Sequence, residues 1–469
     1  MPEIRRHILS VAFPAFGHII PQMEFIKRLV EEDTSLLVTF AVSAVKVEET
    51  RQRGLIPNSL KDNIRLFPLN DKIRADIDVD PGVNHKMEIK NGMEQALKYL
   101  FDTIPTADVR DVIEVHKSAD QPLMNPFFEP VQAVITDSFV GLPAKLCRAR
   151  GIPCYMFTTS CGFTVPMFLT INEEIPVAPD ETYYLPAPPG NPLPLQQSMK
   201  DFLLFTKEML QLSTGVIANS FRELEPAAVG MIAGNPVFEE LPVFFTGPLI
   251  PQEKTSGEAA EKVMEWLDAQ SDRSVVCVSF GSMVFPSVAQ LRELAVALRS
   301  LQRPFIWSLK PEQQRCLPDD LQRHIAQQFH SVEKQPFLIA PWIPQTAVLK
   351  HSACGVFVSH CGWNGTLEAV TAGVPLVGWP LYGDQPLNAG FVAEREVGVV
   401  VPNTSLRGED ICAAENITKL IQKVGNWDKN GDEKYYKSIK QLSEVAGKVW
   451  DKEGSSRKDF EKFRKHLFG

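Results

Sequence analysis

Apolar residues along this chain fall into short runs separated by segments with helical spacing. The first run, residues 7–13, has the length of a buried strand and is followed by a turn at residues 14–17. The next segment places apolar side chains three or four residues apart, at Ile19, Met23, Ile26 and Val30. This order of strand, turn and helix predicts the first unit of a doubly wound parallel sheet.

The same pattern recurs in both halves of the chain. In the first half, runs of strand length occupy residues 36–42, 131–137, 153–159, 216–220 and 243–246. In the second half they occupy residues 274–280, 305–309, 337–340, 354–359, 376–380 and 398–401. Helical segments separate most of these runs, so we predict an α/β fold with two Rossmann-like domains built on parallel sheets.

Length and breaker residues set the predicted domain boundaries. At 469 residues the chain is longer than one hydrophobic core usually supports. Gly247 and Pro248 end the first half, and a polar segment at residues 251–257 follows. We predict an N-terminal domain over residues 1–248, a linker over residues 249–261 and a C-terminal domain over residues 262–450. Seven prolines within residues 176–194 predict an extended surface loop.

Composition excludes several classes of protein. A formal charge of −9 argues against a general affinity for nucleic acid or anionic membranes. The sequence contains no apolar stretch of membrane-spanning length and no signal-peptide pattern. The eight cysteines lack paired CxxC spacing, which favours reduced structural thiols over disulfides or a metal site. We therefore expect a cytoplasmic protein with no metal centre.

Residues 342–385 carry the strongest candidate chemistry. Residues 354–359 predict a buried strand, residues 360–365 a tight turn with two flexible glycines, and Thr366 the start of a helix that ends at Gly373. A helix N-terminus at the carboxyl end of a parallel strand presents N–H groups and the positive end of a dipole. This arrangement predicts an anion site, most naturally for phosphate, although a turn that serves only packing has the same composition.

His18 and Asp137 form a second candidate pair. His18 lies at the start of the first predicted helix, and Asp137 ends a later strand of the same sheet, so both could lie at its rim. A neutral imidazole there could take up a proton while the carboxylate orients it. A helix-capping histidine and a structural aspartate fit the same spacing.

The stretch 342–385 also contains four polar candidates, Gln345, Glu368, Asp384 and Gln385. Asp384 and Gln385 follow a predicted strand, and a carboxylate beside a carboxamide suits hydrogen bonds to several sugar hydroxyls, although an acid in a loop fits the same pattern. Gln345 and Glu368 also fit solvated surface positions. The sequence contains no GxGxxG, GxxxxGK[ST] or GxSxG, so dinucleotide, P-loop and hydrolase interpretations lack their motifs.

Residues 342–385 resemble the signature box of plant secondary-product glycosyltransferases, which belong to the GT1 family of UDP-glycosyltransferases with a GT-B fold. The stretch begins W-x-P-Q, contains HCGWN with a glutamate four residues after the asparagine, and ends D-Q. Similar positions occur along essentially the whole chain: Phe13 and Pro14 with Gly17, His18 and Pro21; Asp137; residues 219–221 with Leu224 and Glu225; residues 278–282; and residues 454–456.

The resemblance implies two domains that face each other across a cleft, the first binding an acceptor and the second a UDP-sugar. It also implies that a C-terminal helix at about residues 451–469 packs back on the first domain. His18 would be the general base and Asp137 its partner in an inverting transfer. Glucose is the expected sugar, and the expected acceptor is a hydroxyl of a small lipophilic or phenolic compound.

The resemblance also assigns roles to individual donor-site residues. Trp342 would stack on uracil with Gln345 beside it, and Glu368 would hold the ribose. The implied diphosphate contacts are His360, Asn364 and Ser282. The implied sugar contacts are Trp363, Asp384, Gln385 and Thr159, the last from the other domain. Gly365 lies among them where the family usually has serine, which removes one hydroxyl donor.

Acceptor recognition is the least defined part of the prediction. The candidate residues for an apolar pocket are Phe16, Phe139, Met156, Phe202 and Phe205. Phe16 stands where the family commonly has a smaller or polar residue. The other four are equally compatible with core positions. A non-catalytic UDP-sugar-binding protein and a GT-B sugar-nucleotide epimerase are the alternative functions. The expected partners are the UDP-sugar co-substrate and a small acceptor, without another cofactor, and the expected state is a monomer.

Overall fold

The computed structural model describes residues 6–71, 83–104, 130–174, 197–251, 257–281, 285–328, 335–402, 411–427 and 431–469. Contacts divide the chain into two compact units. The first contains the described residues up to 174 together with residues 197–249 and 452–469, and the second contains those between 250 and 451. The predicted donor residue Ser282, the proline-rich segment 176–194 and residues 252–256 of the predicted linker lie outside the described residues.

The strands of the first unit are β1 His7–Val11, β2 Leu37–Ser43, β3 Ile64–Leu69, β4 Val131–Asp137, β5 Cys154–Thr158, β6 Gly215–Ala218 and β7 Val243–Phe245. These seven described strands form one parallel sheet in the order β3-β2-β1-β4-β5-β6-β7. Strands β1, β2 and β5 are buried at every residue, as expected when helices cover both faces. Successive strands are added to one side of β1 and then, from β4 onward, to its other side. The carboxyl ends of β1 and β4 therefore form a topological switch point, where ligands commonly bind.

The helices described between these strands are α1 Phe16–Glu32, α2 Ala44–Gln52, α3 Val83–Asp102, α4 Leu142–Arg148, α5 Thr164–Thr170, α6 Gln197–Leu212, α7 Pro226–Ala233 and α8 Val237–Glu240, with single 3₁₀ turns at Asn58–Leu60 and Ser138–Val140. The hydrophobic pattern does not predict β3. That strand lies at the edge of the sheet, contains Pro68 and mixes exposed with buried positions, so it lacks the continuous apolar run of its neighbours.

The strands of the second unit are β8 Val275–Ser279, β9 Phe305–Ser308, β10 Phe337–Ala340, β11 Cys354–Ser359, β12 Leu376–Gly378 and β13 Gly398–Val400. These six described strands form a second parallel sheet in the order β10-β9-β8-β11-β12-β13. Its switch point lies between β8 and β11, so the turn that follows β11 occupies the position where an α/β sheet binds ligands.

The helices described in the second unit are α9 Glu258–Asp268, α10 Val288–Ser300, α11 Pro311–Gln314, α12 Asp319–Gln327, α13 Gln345–Lys350, α14 Trp363–Ala372, α15 Gln385–Glu394, α16 Ala414–Gly425 and α17 Glu433–Ala446. The core of this unit includes the buried side chains of Trp307 and Trp379.

The last helix, α18 Ser455–Phe468, belongs to the first unit. Its Phe463 ring lies 5.3 Å from the ring of Phe25 on α1, centroid to centroid. The buried carboxylate of Asp459 accepts two hydrogen bonds from the guanidinium of Arg222, at 2.8 and 3.1 Å, and one from the backbone N–H of Phe245 at 3.1 Å. These bidentate and aromatic contacts fix the end of the chain on the first sheet.

All eight cysteines lie in the described part of the chain, and each is a free thiol. No helix among the described residues combines the length and apolar character needed to cross a bilayer.

Candidate active site

His18 and Asp137 meet at the switch point of the first sheet. His18 lies in the first turn of α1, and Asp137 is the last residue of β4. Nδ1 of His18 is 2.8 Å from Oδ2 of Asp137, whose side chain is fully buried. The backbone N–H of Phe139 donates to the other carboxylate oxygen at 2.8 Å. The carboxylate therefore holds Nδ1, and Nε2 is the imidazole nitrogen left to face a substrate.

Gln22 ties the helix that carries His18 to the sheet that carries Asp137. Its side chain lies one turn after His18 and is fully buried. The amide Nε2 donates to Oγ of Ser10 at 2.9 Å and to the carbonyl of Val11 at 3.1 Å, with the carbonyl of Ile135 at 3.4 Å. Gln22 is not among the residues predicted from the sequence. Its signal was an amide on the otherwise apolar, sheet-facing side of α1.

Thr159 lies against the same imidazole nitrogen. Its Oγ1 is 3.0 Å from Nδ1 of His18. Glu225 holds the loop that follows Thr159, since its carboxylate accepts hydrogen bonds from the N–H groups of Gly162 at 2.7 Å and Phe163 at 2.9 Å. Burial raises the pKa of the Glu225 carboxyl. The resemblance assigns Thr159 to the donor sugar, whereas the structure engages its hydroxyl with the base.

Two aromatic rings flank the imidazole and continue into a pocket. The ring centroids of Phe13 and Phe139 each lie 4.9 Å from that of His18. A small pocket opens beside these rings. Its wall consists of Phe13, Met93, Glu94, Leu97, Phe139, Val140, Leu142 and Phe205. An apolar cavity is thus adjacent to the candidate base.

The predicted acceptor residues divide into three groups. Phe139 and Phe205 line the pocket, and Phe202 packs edge-on against Phe139 with centroids 5.2 Å apart. Met156 lies inside β5 and is 1% exposed, so it is a core residue, because both faces of that strand are covered. Phe16 lies at the start of α1 beneath an arginine guanidinium and is not part of this pocket wall.

The turn after β11 differs from its prediction in where the following helix begins. Helix α14 begins at Trp363, one turn before the predicted start at Thr366, and the N–H of Thr366 already donates to the carbonyl of Gly362 at 3.0 Å. The left-handed residue of the turn is Cys361, with φ 61°, whereas Gly362 has φ −59°. Glycine is needed at position 362 for space: an added Cβ would lie 2.5 Å from Nε2 of His360.

His360 occupies a close-fitting position at the second switch point. A Cβ on Gly281, which follows β8, would lie 2.8 Å from Nε2 of His360, so glycines flank the ring on two sides. The residue is only partly exposed, and burial lowers the pKa of its imidazole to about 4, which keeps the ring neutral at pH 7. Its buried Nδ1 has no hydrogen-bond partner within the described part of the chain. Beside it, the first N–H groups of α14 have no carbonyl one turn earlier in the helix.

The other predicted donor residues of residues 342–385 differ in how far they are exposed to a ligand. Trp342 is 47% exposed, so its ring face can stack on a ligand. Nε2 of Gln345 donates to the carboxylate of Glu368 at 2.6 Å. Trp363, by contrast, is 3% exposed and packs edge-on against Phe391 with centroids 5.5 Å apart. Its ring lies in the core, although the resemblance assigns it to the sugar.

Asn388 joins the sugar-side acid to the anion turn. Its amide Nδ2 donates to the carbonyl of Cys361 at 2.9 Å and to the carboxylate of Asp384 at 3.1 Å. Asn388 is fully buried and lies one turn after Asp384 on α15. Sequence reasoning missed this residue. The available signal was the four-residue spacing that places both side chains on one face of the helix.

Gln385 shapes the loop before α15. Its Oε1 accepts hydrogen bonds from the backbone N–H groups of Leu381 at 2.8 Å and Tyr382 at 3.1 Å. The residue is 4% exposed. Gln385 therefore fixes the backbone that presents Asp384, in addition to any contact of its amide nitrogen with a sugar.

Comparison with known proteins identifies the family. The model for UDP-glucoronosyl and UDP-glucosyl transferases matches residues 240–443. UDP-glycosyltransferase CGT of Oryza sativa subsp. indica is 32% identical in an alignment that covers 73% of this chain and 76% of that protein. UDP-glycosyltransferase 71A15 of Malus domestica is 28% identical over 97% of this chain and 98% of its own length.

A solved structure agrees with this result. Phytolacca americana UGT2, complexed with UDP-2fluoro-glucose and pterostilbene, is 26% identical with a TM-score of 0.76, covering 99% of this chain and 100% of that one. The predicted fold class, two parallel-sheet domains of the GT-B type, is confirmed. The relatives are named as transferases, which favours the main prediction over the binding-protein and epimerase alternatives. The chain belongs to the UDP-glycosyltransferase family.

Proposed function

We propose that this glycosyltransferase moves glucose from UDP-glucose to a hydroxyl of a small phenolic or other lipophilic acceptor, with inversion and with His18 as the general base. The observation that carries this proposal is the 2.8 Å contact between Nδ1 of His18 and the fully buried carboxylate of Asp137. A histidine held in this way by a buried acid is positioned for proton transfer.

The base chemistry follows from the direction of that contact. Nδ1–H of His18 donates to Asp137, so the lone pair of Nε2 can accept the proton of the acceptor hydroxyl. As that proton leaves, the hydroxyl oxygen attacks the anomeric carbon, and the bond from this carbon to the UDP oxygen breaks with its electron pair leaving on UDP. Asp137 stabilises the imidazolium that forms. Attack opposite the leaving group converts an α-linked donor into a β-glucoside.

The second unit would bind the donor. We assign uracil stacking to the exposed ring of Trp342 and the ribose hydroxyls to Glu368. The diphosphate would meet the first turn of α14 and the neutral imidazole of His360. These groups stabilise the negative charge that develops on UDP as it leaves. The Asp384 carboxylate would accept hydrogen bonds from the sugar hydroxyls, and the Gln385 amide would donate one to them.

The proposal requires no metal and no cofactor apart from the UDP-sugar, because a helix terminus and an imidazole N–H can meet the charge on the diphosphate. We also propose that the enzyme acts as a monomer in the cytoplasm. The eight free cysteines support a reducing compartment. UGT2 of Phytolacca americana, complexed with UDP-2fluoro-glucose and pterostilbene, supports the donor and acceptor classes.

Release of UDP with and without acceptor tests this proposal. Purified protein is incubated with UDP-glucose and a panel of phenols, with EDTA added in a parallel arm, and products are analysed by mass spectrometry and proton NMR. The proposal predicts acceptor-dependent UDP release, a β-glucoside and no effect of EDTA. UDP release that ignores the acceptor, epimerised UDP-sugar or an α-glucoside would contradict it.

A further inference from the structure

One amide nitrogen contacts two parts of the proposed donor site. Nδ2 of Asn388 donates to the carbonyl of Cys361, in the turn after β11, at 2.9 Å and to Oδ2 of Asp384 at 3.1 Å. A carbonyl and a carboxylate accept hydrogen bonds and do not donate them, so only the nitrogen of the amide can face both. Oδ1 of Asn388 is buried and has no hydrogen-bond partner among the residues that the structure describes. The two contacts of Nδ2 are thus made although a buried acceptor is left unsatisfied, which is unfavourable in a protein interior.

The backbone of Cys361 is held by contacts from outside its turn. Its φ of 61° lies in the left-handed region, which is unfavourable for a residue with a Cβ. Its N–H donates to Oγ of Ser359 at 3.2 Å, and its carbonyl accepts from Asn388. A Cβ on Gly378 would lie 2.7 Å from the sulfur of Cys361, so this buried side chain fills the space that the glycine leaves. The surrounding structure therefore maintains an unusual conformation, and Asn388 supplies the contact to the carbonyl.

The direction of that carbonyl determines what the turn presents to a ligand. The peptide bond between Cys361 and Gly362 is trans, so the N–H of Gly362 points away from the carbonyl that faces Asn388. Gly362 directly precedes α14, and a Cβ on it would lie 2.5 Å from Nε2 of His360. This N–H is thus beside the imidazole and the helix start that we assign to the diphosphate. If the peptide turned over, a carbonyl oxygen would replace the N–H and would repel an anion.

We propose that Asn388 is a positioning residue that holds the turn after β11 and the Asp384 carboxylate in the arrangement that binds a sugar nucleotide. The inference rests on the proposed function, since it takes this turn to receive the diphosphate and Asp384 to receive the sugar. One amide then governs recognition of both parts of the donor. Its loss should weaken binding of UDP, which needs the turn, and of UDP-glucose, which needs Asp384 as well.

Calorimetric titration with UDP and with UDP-glucose, in the absence of acceptor, tests the assignment. Asn388→Leu removes the hydrogen-bond donor with little change of size. Asn388→Asp keeps the shape and is the second variant should the leucine protein fail to fold. Neighbouring buried carboxyl groups at positions 384 and 388 would share one proton, and that O–H can satisfy only one of the two acceptors.

Asn63→Leu is the matched control. Nδ2 of Asn63, in the first unit, also donates to two oxygen acceptors, the carbonyls of Thr34 and Leu36, at 2.8 Å each. The substitution therefore removes the same number of hydrogen bonds outside the unit to which donor binding is assigned.

The dissociation constant for UDP should rise at least ~10-fold in Asn388→Leu and at least ~3-fold in Asn388→Asp, because the turn loses an oriented N–H. The constant for UDP-glucose should rise at least as much. Asn63→Leu should lower the urea midpoint of unfolding and keep both constants within ~2-fold of the wild type. Wild-type affinities in the Asn388 variant that folds, whatever its stability, would overturn the assignment, because a residue with only a structural role alters the midpoint of unfolding and not the affinity of the folded protein.

Sugar transfer, measured separately, distinguishes this inference from the proposed function. Weaker UDP binding in the Asn388 variants, together with a wild type that transfers no glucose, would support the inference and contradict the proposed function. Transfer by the wild type with unchanged affinities in the variants would contradict the inference alone. A wild type that binds no UDP would contradict both.

Discussion

The two units of this enzyme build their sites in opposite ways. In the first, Asp137 and Thr159 lie 119 and 141 residues after His18 in the sequence. Both contact the histidine through side-chain hydrogen bonds within the protein. In the second, one continuous stretch forms a strand, a turn and a helix start, and the buried Nδ1 of His360 has no partner in the described part of the chain.

This difference fits the chemistry proposed for each unit. A general base must be held in one tautomer and one orientation before the substrate arrives, so its inner hydrogen bonds are satisfied by the protein. An anion site needs donors whose bonding capacity is left for the ligand, as at a helix N-terminus. Substitutions in the first unit should therefore alter kcat, and those in the turn of the second should alter donor binding.

Asp137→Asn should have the largest effect among the changes that preserve shape. The amide cannot stabilise an imidazolium and can hold His18 in the wrong tautomer, so kcat should fall at least ~10²-fold. Binding of UDP, measured by calorimetry, should stay within about threefold of the wild type. A kcat within tenfold of the wild type would show that the contact between Asp137 and His18 is only structural.

Gly362→Ala should next disrupt the donor turn. The added Cβ would lie 2.5 Å from Nε2 of His360, so the ring or the turn must shift. We expect a rise of about tenfold in KM for UDP-glucose and a loss of about 1–3 kcal/mol in the free energy of unfolding. Steady-state kinetics and urea unfolding measure the two effects.

Gly365→Ala is the matched control for that change. A Cβ at Gly365 would have its nearest neighbour, Nε2 of Gln345, at 3.5 Å, which is ordinary van der Waals contact. Because this glycine lies within α14, alanine should stabilise the protein by up to about 1 kcal/mol. Equal losses in Gly362→Ala and Gly365→Ala would show that the space around His360 is not what requires glycine.

Gln22→Leu should separate positioning of the base from donor binding. The change leaves Oγ of Ser10 and the carbonyl of Val11 without their buried donor, so the free energy of unfolding should fall by about 1–3 kcal/mol. We expect kcat to fall severalfold with little change in KM for UDP-glucose. The exposed Gln52→Leu should alter stability by less than about 0.5 kcal/mol. A kcat for Gln22→Leu equal to that of the wild type would contradict a positioning role for Gln22.

The pH dependence of stability should report the burial of His360. Its folded-state pKa of about 4 lies below the ordinary value of 6.5, so between these pH values the unfolded state binds more protons. Stability should consequently decline as pH falls from 6.5 toward 4, and His360→Asn should lessen that decline. Thermal unfolding from pH 4 to pH 8 measures it, and identical slopes in both proteins would contradict the burial of this imidazole.

The same contrast explains what could be predicted from the sequence. The strand, turn and helix around His360 are contiguous, so periodicity and glycine placement predict them, and only the helix start was wrong. Cys361 is the residue of the turn that adopts a positive φ, and the buried Asn388 donates a hydrogen bond to its carbonyl. Such a hydrogen bond across elements has no signature in local periodicity.

In the first unit, spacing alone favours structural roles for His18 and Asp137, and the family resemblance is what assigns their chemistry. The contact between them depends on sheet order, which places β1 beside β4. Met156 illustrates the converse, because a strand that is buried on both faces presents no residue to a pocket.

The most direct test of the central claim compares sugar transfer with donor binding in His18→Ala. If His18 is the base and the second unit holds the donor, the variant should lose at least ~10²-fold in acceptor-dependent UDP release. Its dissociation constant for UDP should stay within about threefold of the wild type. Near-wild-type glucosylation of a phenol by His18→Ala would contradict the account.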